Sequence, residues 1–257
     1  MSEDVKLREQ QYVDPRPPET FTRYHEQVRR GEANFVYEAV RLTLTPYMLL
    51  VLRNRQIGVE NVPGSGPLIL APNHFSFMDH FLVGCFIRRR VHFMAKSQLF
   101  KSPADLIYRY GGVYPVMRGA RDEEAFTTTE AILARDGTIC MYCEGGRSRT
   151  GKVAEKARPG IGRIALESGA PVVPVAVVGS SKVRNWKRLQ FPRVTVQYGE
   201  PMIWEQTDDP TREQQQAVAD AILDQIRGMY DGIQRDGRKA VKRRYREQRH
   251  SGGPAVA

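Results

Sequence analysis

Short apolar runs alternate with segments of helical periodicity over most of the chain. The apolar runs predict buried strands at residues 67–71, 91–96, 113–117, 138–143, 171–178 and 193–198. The segments between them predict helices at residues 81–86, 99–110, 123–134 and 160–168. Strands that alternate with helices predict an α/β fold, a single sandwich domain in which helices flank a mostly parallel or mixed sheet.

The two ends of the chain differ in composition from this body, which we place at residues 61–234. Residues 1–33 are polar and charged and include three closely spaced prolines, so they predict a mobile N-terminal arm or a wrap over the body. Apolar positions recur at helical spacing over residues 211–233 and predict a closing amphipathic helix. Residues 235–257 predict a basic flexible tail.

Residues 34–60 lean apolar but are interrupted by Glu38, Arg41 and Pro46. A transmembrane helix needs about twenty nearly uncharged residues, and this segment falls short. It predicts an amphipathic or kinked helix that lies on a bilayer, or else an ordinary core helix.

Composition narrows the class of protein. The chain has 257 residues, 41% of them hydrophobic, and its mean hydropathy of −0.48 argues against several membrane spans. Its formal net charge is +10, and residues 235–249 carry +6 of it. Such a basic segment suits anionic lipid headgroups or nucleic acid. No recognised nucleic-acid motif accompanies it, so a nucleic-acid partner is not expected.

The three cysteines do not make a disulfide framework, and the N-terminus shows no signal peptide, so a reducing, cytoplasmic setting is expected. Cys140 and Cys143 have the spacing of a redox pair. They fall inside a predicted buried strand, where residues three apart point to opposite faces. We interpret both as packing residues.

His74 and Asp79 follow the first predicted core strand. Pro72 and Asn73 break that strand, so His74 is expected at the mouth of a strand-to-helix turn, with Asp79 about one and a half helical turns later. A carboxylate beside an imidazole fixes its tautomer and supports the cation that forms on protonation. His74 could therefore deprotonate a hydroxyl group of the substrate.

Two other interpretations of this motif stay open. His74 could be a capping residue with Asp79 on the helix surface, since such pairs are common by chance. A metal site could use His74, Asp79, His80 and His92, but that set lacks the i, i+4 histidine pair or the cysteine ligands of metal motifs. No metal is predicted.

A glycine-rich basic loop at residues 144–149 predicts an anion site. It combines backbone N–H groups uncovered by side chains with the guanidinium groups of Arg147 and Arg149. Arg118 also follows a strand and could converge on the same place, because ligands gather outside the carboxyl ends of strands in open α/β sheets. Arginine matches phosphate with paired, charge-assisted hydrogen bonds. The alternative is a solvated basic loop.

Four blocks in this order resemble the glycerolipid acyltransferases. They are Asn73-His74 with Asp79, Gly112 to Arg118, Cys143 to Ser148, and Val173 to Ala176. The resemblance implies that His74 and Asp79 are the catalytic pair and that Arg118 binds the phosphate of the acceptor. The remaining substrate-binding candidates are Glu144, Gly145, Gly146, Arg147 and Ser148, with Glu144 expected to orient an arginine or an acceptor hydroxyl.

The resemblance implies O-acyl transfer from acyl-CoA or acyl carrier protein to the hydroxyl of a lysophospholipid, most directly 1-acylglycerol 3-phosphate. It implies no cofactor, and a peripheral or monotopic location on the cytoplasmic face of the cell membrane, because family members often begin with a helical membrane-docking element. Alternatives are another lysolipid or glycolipid acceptor, a phospholipid donor, or a basic-tailed lipid or nucleic-acid binding protein without catalysis.

Two positions in the third block depart from the family pattern. Cys143 stands where the family usually has proline, and Gly146 stands where it usually has threonine. The second change adds backbone freedom beside the expected phosphate site, so it bears on headgroup preference.

Overall fold

The computed structural model describes residues 14–31, 35–101, 105–117, 122–148, 150–183 and 192–251. The strands are β1 (Arg55–Ile57), β2 (Leu68–Pro72), β3 (His92–Lys96), β4 (Val113–Val116), β5 (Thr138–Cys140), β6 (Val172–Val178) and β7 (Thr195–Tyr198). They form one sheet in the order β1-β7-β6-β2-β5-β3-β4. Neighbouring strands run parallel except β6 and β7, which are antiparallel.

The helices are α1 (Thr22–Arg30), α2 (Phe35–Leu50), α3 (Asp79–Gly84), α4 (Asp105–Tyr110), α5 (Glu123–Leu133), α6 (Gly160–Ser168) and α7 (Arg212–Ser251). One face of the sheet packs against α1, α5, α6 and α7, and the other packs against α2 and α3. The α/β fold class, with a mostly parallel sheet between helices, is confirmed.

Strand β2 illustrates how the two cores arise from the sequence. Successive side chains of a strand point to opposite faces. Ile69 and Ala71 pack in the core with α6 and α7, whereas Leu68 and Leu70 pack in the core with α2 and α3. All five β2 residues are buried, which explains why this central strand reads as a continuous apolar run.

Strand β5 is shorter than its apolar run predicts and ends at Cys140. Cys140 and Cys143 are nevertheless buried in the two different cores, and both are free thiols. The interpretation of both as packing residues is confirmed.

Residues 14–31 fold onto the body as a wrap, one of the two arrangements predicted for the N-terminal arm. Residues 1–13, 32 and 33 of that predicted arm lie outside the described residues. Phe21, Tyr24 and Val28 are buried. The Arg16 guanidinium donates hydrogen bonds to the carbonyl oxygens of Ser97 and Phe100, at 2.7 and 2.8 Å. Three apolar side chains on one helix face therefore suffice to anchor a segment that is otherwise polar.

Helix α2 contains Pro46 and lies within the segment at residues 34–60 for which a helix was predicted. Tyr37 and Met48 are buried, while Phe35, Leu42 and Leu50 are more than three-quarters exposed. None of the helices in the described ranges is long and apolar enough to span a membrane.

Helix α7 continues through Ser251, where the sequence predicts a flexible tail from residue 235. The helix changes direction at Gly237, whose φ of 75° and ψ of 153° lie outside the helical region. Val241 is buried beyond that point, and the Tyr245 hydroxyl donates a hydrogen bond to Asn61 Oδ1 at 3.0 Å. These side chains share one helix face, which packs along the β1 edge of the sheet.

Candidate active site

The turn that carries His74 is fastened to the sheet by Asn73. The Asn73 amide donates to the carbonyl oxygen of Val177 at 3.0 Å and accepts from the Val177 N–H at 2.7 Å. The side chain thus pairs with β6 as another strand residue would, although β2 has ended at Pro72. His74 therefore leaves the carboxyl end of a central strand at a fixed position.

The backbone of His74 is held by the loop after β5. Its N–H donates to Glu144 Oε2 at 3.0 Å, and its carbonyl oxygen accepts from the Ser148 N–H at 2.8 Å. Glu144 Oε1 accepts from the Ala154 N–H at 3.0 Å. Glu144 was predicted to orient an arginine or an acceptor hydroxyl, and among the described residues its carboxylate joins two backbone segments.

Burial raises the pKa of Glu144 to about 6, against the lowering effect of its two backbone hydrogen bonds. The carboxylate is therefore anionic at neutral pH, where both of its oxygens serve as acceptors.

Asp79 forms a hydrogen-bonded pair with His74. His74 Nδ1 lies 3.0 Å from Asp79 Oδ2, and the same oxygen accepts from the N–H groups of Phe75 and Ser76, each at 2.7 Å. Asp79 is fully buried and His74 is 5% exposed. Because Nδ1–H donates its hydrogen bond to the Asp79 carboxylate, the basic lone pair of the imidazole is on Nε2. The capping interpretation is wrong in one respect, because Asp79 does not lie on the helix surface.

Aromatic rings enclose the imidazole. Tyr142 stacks on His74 with ring centroids 3.9 Å apart, and His80 meets it edge-on at 5.3 Å. His80 Nδ1 lies 3.1 Å from the carbonyl oxygen of Phe77. Burial first, and then the charge of a protonated His74, lower the pKa of His80 to about 4. His80 is therefore neutral at pH 7.

A cavity of about 180 Å³ extends from His74 between α2, α3, α4 and β3. Its wall is mostly apolar and includes Val40, Phe81 and Phe93. Phe77, Leu99 and Ile107 also line it and are each about half exposed. The cavity thus has an apolar mouth, with His74 and Arg147 as polar groups in its wall.

The structure brings most of the sequence-predicted site residues together. Arg147 lines the cavity with His74, Gly145 has a φ of 65°, and Ser148 uses its N–H to hold His74. Arg118 and Arg149 lie outside the described residues. Among the residues that are described, the N–H groups of Gly146 and Arg147 donate no hydrogen bond.

Within the described ranges, no group of three or more His, Cys, Asp or Glu side chains could hold a metal ion. His92, a member of the alternative metal set, has its Nδ1 3.1 Å from the carbonyl oxygen of Gly112.

Two site residues, Asn73 and Tyr142, gain their roles from contacts far away in the chain. Asn73 bonds to a strand about a hundred residues later, and Tyr142 comes from the end of β5. The only sequence signal was their position at strand ends, beside His74 and Glu144 respectively.

Comparisons with known proteins show which sequences and folds the chain is similar to. Residues 54–178 match the family model described as Acyltransferase. A chloroplastic 1-acyl-sn-glycerol-3-phosphate acyltransferase, BAT2 of Brassica napus, is 27% identical over 130 residues. That match covers 49% of this chain and 37% of the relative, so the chain spans little more than a third of that protein's length.

The crystal structure of a 1-acyl-sn-glycerophosphate (LPA) acyltransferase, PlsC from Thermotoga maritima, has a similar fold. Its TM-score is 0.52 at 24% identity, over 74% of this chain and 82% of that one. The family resemblance predicted from the four sequence blocks is confirmed by these matches.

Proposed function

From the acyltransferase-family domain at residues 54–178, we propose that the protein is a membrane-surface O-acyltransferase that converts 1-acylglycerol 3-phosphate to phosphatidic acid. The observation that carries the proposal is the buried His74–Asp79 pair in the wall of an apolar cavity. The names of the plant and bacterial relatives point to the same acceptor.

His74 acts as the general base in the proposed reaction. Nε2 takes the proton of the acceptor hydroxyl as that oxygen attacks the carbonyl carbon of an acyl thioester, carried by CoA or acyl carrier protein. The tetrahedral intermediate then collapses, the C–S bond breaks, and the leaving thiolate takes the proton from the imidazolium. Asp79 supports the imidazolium through Nδ1.

The basic loop supplies the anion-binding part of the proposed site. Arg147 stands in the cavity wall beside His74, and the same loop carries the N–H groups of Gly146 and Arg147, which donate no hydrogen bond to any described residue. Guanidinium and backbone N–H donors together suit the phosphate of the acceptor or the oxyanion of the intermediate. We assign Arg118 to the phosphate on the family resemblance alone.

The cavity suits an acyl chain, because its wall is apolar and its mouth is lined by exposed apolar side chains. Phe35, Leu42 and Leu50 of α2 do not line the cavity but are further exposed apolar side chains. Apolar surface of this kind favours contact with a bilayer. A lysolipid could then enter the cavity from the membrane without crossing water.

The test is acyl transfer by the purified chain in liposomes, with acyl-CoA and acyl carrier protein as donors and a panel of lysophospholipids as acceptors. We expect phosphatidic acid from 1-acylglycerol 3-phosphate, and loss of product in the His74→Ala variant. Product from a different lysolipid only would overturn the assignment of the acceptor. Failure of folded protein with every donor and acceptor would overturn acyl transfer itself.

A further inference from the structure

Four arginines gather at the β1 edge of the sheet, at the same end as His74. β2 and β6 are parallel, β6 and β7 are antiparallel, and β7 and β1 are parallel. The amino ends of β7 and β1 therefore lie at the carboxyl end of β2. Arg193 precedes β7, while Arg53 and Arg55 lie at the start of β1, and Arg238 follows the bend of α7.

Helix α7 completes this group with two lysines. Arg55, Arg238, Lys239 and Lys242 line a depression in the surface, with Ile57 as its apolar member. We call the six cations Arg53, Arg55, Arg193, Arg238, Lys239 and Lys242 the basic edge.

No member of the basic edge has a carboxylate partner among the described residues. The Arg238 guanidinium is partly buried and donates to the carbonyl oxygen of Arg53 at 3.0 Å. Burial, followed by the charges of the other three arginines, lowers the pKa of Arg238. Like charges held this close are stabilised by an anion from outside the chain.

Other basic residues of α7 do have acidic partners. Arg235 and Arg244 pair with Asp236, and Arg249 pairs with Glu60 at 2.9 Å. Arg246 of the same helix has no carboxylate partner among the described residues either, but the basic edge brings several such cations from different elements together around one depression.

The position of the basic edge points to the kind of anion. Leu49 and Leu50 are exposed at the end of α2, only a few residues before Arg53. Arg53 also has a φ of 43°, which a non-glycine residue seldom adopts, and its carbonyl is held by Arg238. Exposed apolar side chains next to fixed cations match the acyl chains and phosphates of an anionic bilayer.

We propose that the basic edge is a binding site for the phosphate headgroups of anionic lipids, separate from the site at His74. Four cations around one depression would bind a headgroup phosphate, and Leu49 and Leu50 would enter the adjoining acyl region. Lipid binding can be measured without turnover, so this inference does not depend on the proposed acyl transfer.

The test is co-sedimentation of the full chain with vesicles of phosphatidylcholine, and with vesicles of equal parts phosphatidylcholine and phosphatidylglycerol. The variant Arg55→Gln, Lys239→Gln, Lys242→Gln removes three charges and leaves the Arg238 hydrogen bond intact. Each cation near an anionic surface contributes about fivefold to binding, so we expect a loss of roughly a hundredfold on anionic vesicles only. The same loss is expected for the unaltered chain at about 1 M salt, where the Debye length is about 3 Å.

The matched control removes three cations that lie away from the basic edge, as Arg30→Gln, Lys156→Gln, Arg212→Gln. Equal losses of vesicle binding in both triple variants would show that only the net charge matters, and would overturn the site. Unchanged vesicle binding in the basic-edge variant would also overturn the site. Lost binding to double-stranded DNA or to an acidic carrier protein in that variant would then assign the basic edge to a different partner.

Discussion

His74 is fixed at both its side chain and its backbone, so its replacement should affect chemistry more than folding. Asp79 holds the ring, while Glu144 and Ser148 hold the peptide. General-base catalysis contributes roughly two to four orders of magnitude to rate, so His74→Ala should lower kcat by about that factor. Initial rates of acyl transfer, with circular dichroism to monitor folding, would measure this.

The matched control is His250→Ala, which alters an exposed histidine in the last turn of α7 and should retain full activity. A His74→Ala enzyme with undiminished kcat would rule out this residue as the base.

Tyr142 should support the imidazole through its ring and not through its hydroxyl. The hydroxyl is buried and, within the described residues, meets no nitrogen or oxygen partner, only the Cys140 thiol. Tyr142→Phe keeps the stack and removes a poorly satisfied polar group, so we expect unchanged kcat and equal or higher stability. Tyr142→Leu removes the stack, and kcat should fall. Equal kcat in all three proteins would contradict a positioning role.

At this scale the sequence predicted what lies within one motif. The five-residue spacing was enough to place His74 beside Asp79, and the glycine loop was enough to place Arg147 near them. The bond from Glu144 to the His74 N–H was not predictable, because it joins residues seventy positions apart. Such contacts depend on strand order, which a single sequence does not give.

Among the elements, strands were predicted wherever an apolar run was buried on both faces. The run at residues 171–178 corresponds to β6, which is buried along its whole length. β1 was missed because its three residues, Arg-Gln-Ile, are too short and too polar to form a pattern. The fold of residues 238–251 was missed because two side chains, Val241 and Tyr245, anchor a helix that is otherwise basic.

Gly237 should control whether this last part of α7 docks on β1. Its backbone angles are accessible almost only to glycine, and no atom would lie within 4 Å of an added Cβ. Gly237→Ala should therefore cost about 1–3 kcal/mol of docking free energy through backbone strain alone. Trypsin should then cleave at Arg238 to Arg249 faster than in the unaltered chain.

Gly228→Ala is the control for that variant, since Gly228 lies in the regular part of α7 with open space around it. Alanine there should stabilise the helix by roughly 0.5–1 kcal/mol. If Gly237→Ala leaves trypsin cleavage unchanged, the bend does not require glycine.

Helix α2 should contact bilayers through its outer apolar face. Leu42 is 78% exposed, and burying a leucine side chain contributes about 1.5–3 kcal/mol. Leu42→Glu should therefore weaken binding to phosphatidylcholine vesicles about tenfold or more. Thr43→Glu adds the same charge at the next exposed position and should have a smaller effect. Equal effects of the two variants in co-sedimentation would contradict a specific apolar contact.

The whole molecule combines two kinds of surface around one end of its sheet. The cavity with His74 opens among exposed apolar side chains near β3, and the basic edge lies across the sheet at β1. The N-terminal strap of residues 14–31 and the docked end of α7 cover the outer elements on either side. Composition alone placed the excess charge at the C-terminus, but the fold brings part of it to the same end as the candidate active site.

Acid should destabilise the folded protein through two histidines that are neutral in the folded state, the buried His92 and the partly buried His80 in the cavity wall. Burial lowers the pKa of both His80 and His92 to about 4, with nearby His74 and Arg135 charges adding to the effect. The unfolded chain has histidine pKa values near 6.5 and binds these protons first, so the free energy of unfolding should fall between pH 6.5 and 4. Each histidine would contribute about 1–3 kcal/mol to that fall.

Glu144 has the opposite effect on the free energy of unfolding over part of this pH range, so its contribution must be distinguished from that of the histidines. The pKa of Glu144 is raised to about 6, so the folded state holds that proton more tightly than the unfolded chain does. The contribution of Glu144 to stability therefore falls as pH rises from about 4.5 to 6.

Urea unfolding of the His92→Gln variant isolates the contribution of one histidine. The stability of this variant should decline less on acidification than that of the unaltered chain. His250→Gln, at an exposed position in α7, is the matched control. If His92→Gln loses stability as steeply as the unaltered chain, burial of neutral His92 is not a source of the acid sensitivity.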